Sequence, residues 1–487
     1  MPDLDLPNPL DPASGEKAAP RLSTATIPFL ALEVKRPAYN RSGVANGVLH
    51  FGPGAFHRAH QAAAFDALLA HDPRWGITGV SLHSTQVAQA LNPQDGLYSL
   101  ALLDEEPGLQ IIGSLTRILT GSQGKAVMEA MTSPELRIIS STVTEKGYCL
   151  GPDGRLDEQH PDIRSDLADL SSPRSFIGWL ASGLAERRRR GLPGATILSC
   201  DNLTDNGRKL GAAVIDFASM RDPDTARWIE DHVRFPNAMV DSITPATDQD
   251  LRRKVAQSLG LTDAWPIQRE RFTQWVIEDD FVDERPALDV AGVTFTKDVH
   301  PFEAAKLRLL NGAHSTLAYV GLLRGHRTVA QAMTDEWLAR FVERLMREDI
   351  VPTLKPPAGL DLDIYISDVL RRFRNPAIEH LLSQIAWDGS QKLPYRLLGT
   401  IRDRLASGGE IQRLILPIAA WLRFIAHAAR HDLTITDPLA DRLLAAGDDW
   451  QAIVAMPEIF GDLAGSPVLV QPLTSSFKTL DDLRSAT

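Results

Sequence analysis

GVLHFGPGAFHRAHQAAAFDALLA, residues 47–70, carries the reading that decides the fold class. Residues 47–51 form a short apolar strand, 52–54 a tight turn through two glycines, and 58–70 a helix rich in alanine with Phe65, Leu68 and Leu69 on its apolar side. Working outward, 77–82 is a second apolar strand, and 136–143 and 195–200 are later ones, each followed by polar residues. Strand and helix alternating in this way point to a parallel sheet covered by helices, an α/β fold. After about Pro301 the period changes. Residues 303–323, 329–347, 376–386 and 412–429 all show helical spacing, with few strand-like runs between them. The expectation is an α/β domain over 1–295 and a mainly α-helical domain over 296–487.

The chain has 487 residues, more than one core comfortably supports, which agrees with two domains. Hydrophobic residues make up 44% and charged residues 23%, an ordinary globular balance, and no apolar run is long enough to span a bilayer. The polar, Pro-rich opening, MPDLDLPNPLDPASGEKAAP, reads as a poorly ordered lead-in without a secretory signal, so the cytoplasm is the expected compartment. Cys149 and Cys200, the only two cysteines, give neither a disulfide framework nor a zinc motif. A net charge of -11 argues against nonspecific binding to nucleic acid. The basic run Arg187 to Arg190 ends an expected helix over 175–190 and complements its dipole.

Three places carry chemistry. The turn GPGAFHRAH, residues 52–60, sits between strand and helix. Gly52 and Gly54 would let the backbone approach a pyrophosphate, with Ala55 and Phe56 at the helix start. The usual third glycine is replaced by His57, and a plain strand-to-helix turn remains the alternative. Arg58 either pairs with a phosphate or caps the surface. The second place is Lys306, Asn311 and His314 in PFEAAKLRLLNGAHSTLAYVG, residues 301–321. At ~100° per residue, Asn311 lies ~140° and His314 ~80° from Lys306, so all three can face one cleft. A lysine held among Leu307, Leu309 and Leu310 has its charged form disfavoured and can exchange a proton near neutral pH. An asparagine amide can hydrogen-bond a forming alkoxide, and a histidine can orient a hydroxyl. The competing reading is an ordinary amphipathic helix with a wet side. The third place is SCDN, residues 199–202, where a strand's carboxyl end would aim Asn202 at a ligand. The same holds for Thr144 and Glu145 in TEKGY and for Asp241 in FPNAMVDSITP. All of these are also ordinary turn formers.

Taken together, HFGPGAFHRAHQAAAFDALL (50–69), TVTEKGYC (142–149), TILSCDNLTDNG (196–207), FPNAMVDSITP (235–245), QWVIEDDFV (274–282), PFEAAKLRLLNGAHSTLAYVG (301–321), RFRNPAIEH (372–380) and DGSQKLP (388–394) resemble the mannitol dehydrogenase family of polyol-specific dehydrogenases. The resemblance implies a Rossmann-like N-terminal domain, a helical C-terminal domain, an active site between them, and no metal. It implies Lys306 as general base in oxidation and acid in reduction. Asn202 and Asn311 become the oxyanion pair, His314 a substrate-orienting residue, and Asp241 and Lys392 substrate contacts. Glu303 is similar to the family's proton-relaying glutamate. A monomer is implied, with a dimer as the alternative, and a small sugar acid or polyol as the partner.

Two subgroups compete: one oxidises mannitol to fructose, the other reduces fructuronate to mannonate. TEKGYC (144–149), LNGAHSTLAYVG (310–321) and QIAWDGSQKLPYRLL (384–398) resemble the fructuronate reductases, whereas FPNAMVDSITP and DAWPI (263–267) are similar to the mannitol enzymes. Mannitol-oxidising members tend to carry arginine where this chain has Gln384. Lys392 and, flanking Phe373, Arg372 and Arg374 are the cations available for a substrate carboxylate. NAD is the cofactor the family implies, although LHSTQ (82–86) after the second strand offers neither an acid for a ribose 2′-OH nor an arginine for a 2′-phosphate. The rival classes are a catalytically silent sugar-acid sensor and a nucleotide-binding interaction module. An intact lysine, asparagine and histidine set argues for the enzyme.

Overall fold

The apolar run after Gly47 forms strand β1 (Val48–Phe51), buried on both faces along its whole length. Its one polar residue, His50, is satisfied in place, with Nδ1 2.8 Å from Ser140 Oγ and Nε2 3.0 Å from Thr142 Oγ1. The computed structural model describes residues 19–104, 107–151, 153–357 and 359–485. The Pro-rich lead-in lies, through residue 18, outside the described residues.

The strands that follow are β2 (Ile77–Ser81), β3 (Tyr98–Leu103), β4 (Gly108–Ile112), β5 (Leu115–Thr120), β6 (Ile138–Ser141), β7 (Thr196–Ser199), β8 (Ala238–Asp241), β9 (Ile267–Glu270), β10 (Gln274–Glu278) and β11 (Thr294–Thr296). Five of them pair in parallel in the order β5-β2-β1-β6-β7. The chain runs outward from β1 through β2 to β5, then returns to lay β6 on the other side of β1. Strand order therefore reverses between β1 and β6, and a crevice opens beyond their carboxyl ends, where such sheets bind ligands. This is the expected Rossmann-like arrangement. Two small sheets, β4-β3-β9 and β11-β10-β8, flank it. The antiparallel pairing of β10 with β8 holds Asp241 opposite Gln274.

The helical part starts at His300–Ala305 and is built around Gly312–Leu323, whose first ten residues are all buried. A helix buried all round is a central core helix, and Gln412–Arg430 packs along it. The basic run closes the helix Phe176–Arg189, capped by Ser175. Arg187 does more than complement the dipole: it is buried and donates to the carbonyls of Met131, Ser133 and Pro193.

Several boundaries differ from the expected ones. The helix read over 58–70 is two, Ala55–Ala59 and Gln61–Leu69, broken where His60 leaves helical geometry. The segment 329–347 is interrupted at Asp335, whose extended backbone and carboxylate cap a new helix, Glu336–Arg344. The helix expected over 376–386 is displaced. A helix runs over Leu362–Arg374, and only Leu382–Ile385 is helical afterwards. Asn375 precedes Pro376, which forces it extended and ends the upstream helix there.

Candidate active site

The turn after β1 is built for close approach. Gly52 has φ +83°, and a Cβ there would lie 2.3 Å from the Thr142 carbonyl oxygen, so no other residue fits the reversal. Thr142 Oγ1 donates back to the Gly52 carbonyl at 2.6 Å, tying β1 to β6 at the point where strand order reverses. Gly54, Ala55 and Phe56 line the large cleft that opens here, about 1950 Å³ in volume. The missing third glycine has a physical substitute. His57 stacks on His50 with ring centroids 3.3 Å apart, so two flat neutral rings do the close helix-to-strand packing. Burial pushes the His50 pKa down to about 3 and that of His57 well below the ordinary range. Arg58 is a correction. It is buried away from the cleft, donates to the Trp265 carbonyl at 2.9 Å and lies over the Tyr98 and Trp265 rings, because the helix presents it to the β3 and β9 side. It contacts neither the cleft nor the solvent surface.

Asp201, just beyond β7, organises the opposite lip. Its carboxylate accepts from the Thr144 N–H at 2.7 Å and from the Tyr148 hydroxyl at 2.9 Å. Thr144 is thereby held at φ +67°, a conformation that costs a β-branched residue about 1–3 kcal/mol and that recurs at ligand sites. Thr144 and Glu145 both line the cleft. The next residue, Asn202, reaches Lys306: its side-chain oxygen accepts from Lys306 Nζ at 2.7 Å.

Lys306 begins a π-helical turn, Lys306–Asn311, inside what the spacing predicts as one α-helix. In a π-turn the N–H of residue i+5 bonds the carbonyl of residue i, and the Gly312 N–H bonds the Leu307 carbonyl here. The wider turn brings Asn311 round towards Lys306 instead of ~140° away. Lys306 is buried. Besides Asn202, Nζ donates to the Val240 carbonyl at 2.7 Å. An ammonium has three hydrogens, so the third is left for the cleft that Lys306, Asn311 and His314 line together. Burial lowers the Lys306 pKa, and Arg372 and Arg396 lower it further against Asp241 and Glu303, which raise it. His314 packs on Phe373 and His380, its Nε2 is buried without a partner, and desolvation keeps it neutral. Glu303, one turn earlier, lines a small side cavity with Asn202 and Lys306, about 30 Å³, room for a water. Burial pushes its pKa up to about 7.

Of the substrate contacts, Asp241, Gln384 and Lys392 line the cleft. Arg372 is the second correction: it is no free cation. It forms a bidentate pair with Asp241 (2.8 and 3.2 Å) and another with Glu270 (2.8 and 2.7 Å), buried over the Phe272 ring. The triad ties the helix Leu362–Arg374 to β8 and β9, so Arg372 positions Asp241 and does not meet a ligand. His380 and Arg396 line the cleft too, although the sequence reading does not single them out. Arg396 stands four residues after Lys392, a spacing that puts both on one helical face, and that was the available signal.

Among the described residues one group of potential metal ligands converges, Glu278, Asp298 and His300. It lies off the cleft and is engaged otherwise: His300 bridges Asp298 and Asp205, and Arg208 bonds Glu278. Both cysteines are free and buried, and no described helix is long and apolar enough to cross a membrane.

Two family models cover most of the chain: Mannitol dehydrogenase Rossmann domain over residues 46–290 and Mannitol dehydrogenase C-terminal domain over residues 298–481. The D-mannonate oxidoreductase of Escherichia coli (strain K12) is 39% identical over 474 residues, 93% of this chain and 97% of that protein. A mannitol 2-dehydrogenase of Phaeosphaeria nodorum is 35% identical over 492 residues, 97% of this chain and 87% of its own length. Among solved structures, the Pseudomonas fluorescens mannitol 2-dehydrogenase ternary complex with NAD and D-mannitol superposes with a TM-score of 0.83 at 37% identity, covering 96% of this chain and 98% of that one.

Proposed function

We propose, for a chain that belongs to the mannitol dehydrogenase family, that it interconverts the keto-sugar acid D-fructuronate and the sugar acid D-mannonate. It is an oxidoreductase that acts on secondary alcohols with NAD. Bound NAD supplies the hydride donor and acceptor. The turn fits it, since a Cβ on Gly54 would stand in the open cleft with only the Gly52 carbonyl oxygen, 3.8 Å away, near it, and Gly54, Ala55, Phe56, Thr144 and Glu145 would hold it along the cleft.

The observation that carries the chemistry is the bonding of Lys306. With two hydrogens committed to Asn202 and Val240, Nζ presents one proton to the cleft when charged and a lone pair when neutral. In reduction Lys306 gives that proton to the carbonyl oxygen, and in oxidation it takes one from the hydroxyl. Because Asn202 receives the lysine on its oxygen, its NH₂ group is left for the substrate oxygen. Asn311 donates from the other side. Neutral His314 orients the substrate, and Glu303 passes the lysine proton outward through the side cavity. Asp241, held in place by Arg372, accepts from sugar hydroxyls.

Charge favours the sugar acid. Asp241 is spent on Arg372, whereas Lys392 meets its nearest carboxylate, Asp388, only at 3.9 Å and faces the cleft. Oxidation of mannitol to fructose is the second reading, favoured by the mannitol 2-dehydrogenase relatives and the FPNAMVDSITP stretch. Parallel steady-state assays with NADH decide between them. A higher kcat/KM for fructuronate than for fructose supports the proposal. Preference for fructose, with efficient oxidation of mannitol and not of mannonate, moves the chain to the second reading.

A further inference from the structure

We infer that Arg396, standing beside Lys392 on the cleft wall, is the anchor that selects a substrate carrying a carboxylate at the end remote from its carbonyl. The inference rests on the sugar-acid reading and names the residue that enforces it. Arg396 belongs to the π-turn Pro394–Leu398 and lines the same cleft as Lys306, Asn311 and His314. Among the described residues no carboxylate pairs with it. Its one side-chain hydrogen bond is from Nη1 to Ser315 Oγ, 3.1 Å, on the helix that carries His314. The backbone there is pressed against that helix: a Cβ on Gly312 would come within 3.0 Å of the Arg396 carbonyl oxygen. The guanidinium is therefore fixed relative to the catalytic lysine, with most of its N–H fork uncommitted.

This arrangement is costly without an anion. Like charges four residues apart on a helix repel, and a largely buried arginine without a carboxylate lacks the partner such residues ordinarily have. Arg327, which also lines the cleft, pairs with Glu379, and Arg372 behind it carries two carboxylates. Burial lowers the Arg396 pKa to about 10, and burial, with Arg396 beside it, lowers that of Lys392. A substrate carboxylate relieves both costs at once and meets the fork in its preferred planar geometry. A neutral polyol relieves neither.

The test compares wild type with Arg396→Gln and Arg396→Lys on fructuronate and fructose, each with NADH, and reads the ratio of the two kcat/KM values. The neutral ketose is the internal reference, since a variant with a damaged site loses on both substrates and keeps its ratio. Loss of a charge-assisted bidentate contact is expected to lower the ratio on the order of 100-fold in Arg396→Gln, mainly through KM, with partial recovery in Arg396→Lys. A wild type that prefers fructuronate and a variant ratio that does not move overturn the anchor and leave the sugar-acid reading standing. A wild type that prefers fructose ends the sugar-acid reading. The anchor is then read from D-mannonate as inhibitor of fructose reduction: weaker inhibition of Arg396→Gln supports it, and equal inhibition overturns it.

Discussion

Replacing Arg372 by methionine strips the partner from two buried carboxylates at once. The side chains of Arg372, Asp241 and Glu270 are 4%, 6% and 3% exposed, so water cannot take over what the guanidinium does. Removing one partner of a buried pair costs about 3–5 kcal/mol, and Arg372→Met is expected at the upper end of that range because two carboxylates are orphaned. Glu270→Gln, which leaves the bidentate Asp241–Arg372 pair in place, is expected to cost less, about 1–3 kcal/mol. The pH dependence has a definite sign. Burial already holds the Glu270 carboxyl above its ordinary value, with Arg372 pulling it down. Without Arg372 it rises further. A carboxyl whose folded pKa lies above its unfolded value loses stability as pH rises from the unfolded value through the folded one. The deficit of Arg372→Met is therefore small at pH 5 and larger at pH 8. Urea denaturation at both pH values measures it. A variant within about 0.5 kcal/mol of wild type, the ordinary range of surface substitutions, or one with the same deficit at both pH values, refutes the clamp.

Glu303→Gln removes the carboxyl that burial pushes up to about 7. Glu303 can accept the lysine proton only once ionised, so wild-type oxidation gains rate as pH passes about 7. The variant is expected to lose that gain, on the order of tenfold, in a pH–kcat profile. A variant profile that still rises there removes Glu303 from the proton path. Dialysis against EDTA is expected to leave the rate unchanged, because Lys306 moves the proton and Glu278, Asp298 and His300 are occupied with Arg208 and Asp205. Loss of activity that zinc restores contradicts the metal-free reading.

The sheet was legible because its signals are local: an apolar run into glycines, then an alanine-rich helix, repeated. The π-turn at Lys306 was not, since its sequence reads as regular α-helix. The cleft side of Asn202, Asn311, His314 and Asp241 follows from strand ends and helical spacing, and that of Lys392 only from the resemblance to the family. Arg58 and Arg372 went astray for a shared reason. Sequence shows that a cation is present but not whether aromatic rings and carbonyls, or two distant carboxylates, have already claimed it. Arg396 was overlooked for the converse reason, because the absence of a partner is visible only in three dimensions.

The most direct test of the account is turnover by Lys306→Ala, measured with the keto substrate that the wild type prefers, alongside a fluorescence titration of NADH. The lysine bonds Asn202 and Val240 and none of the residues of the Gly52 turn, so NADH affinity is expected to match wild type while the rate falls by about 10²–10⁴-fold, the contribution of a positioned acid–base group. A variant that binds NADH normally and keeps most of its rate would show that the proton does not pass through Lys306, and the mechanism drawn from its bonding would be wrong.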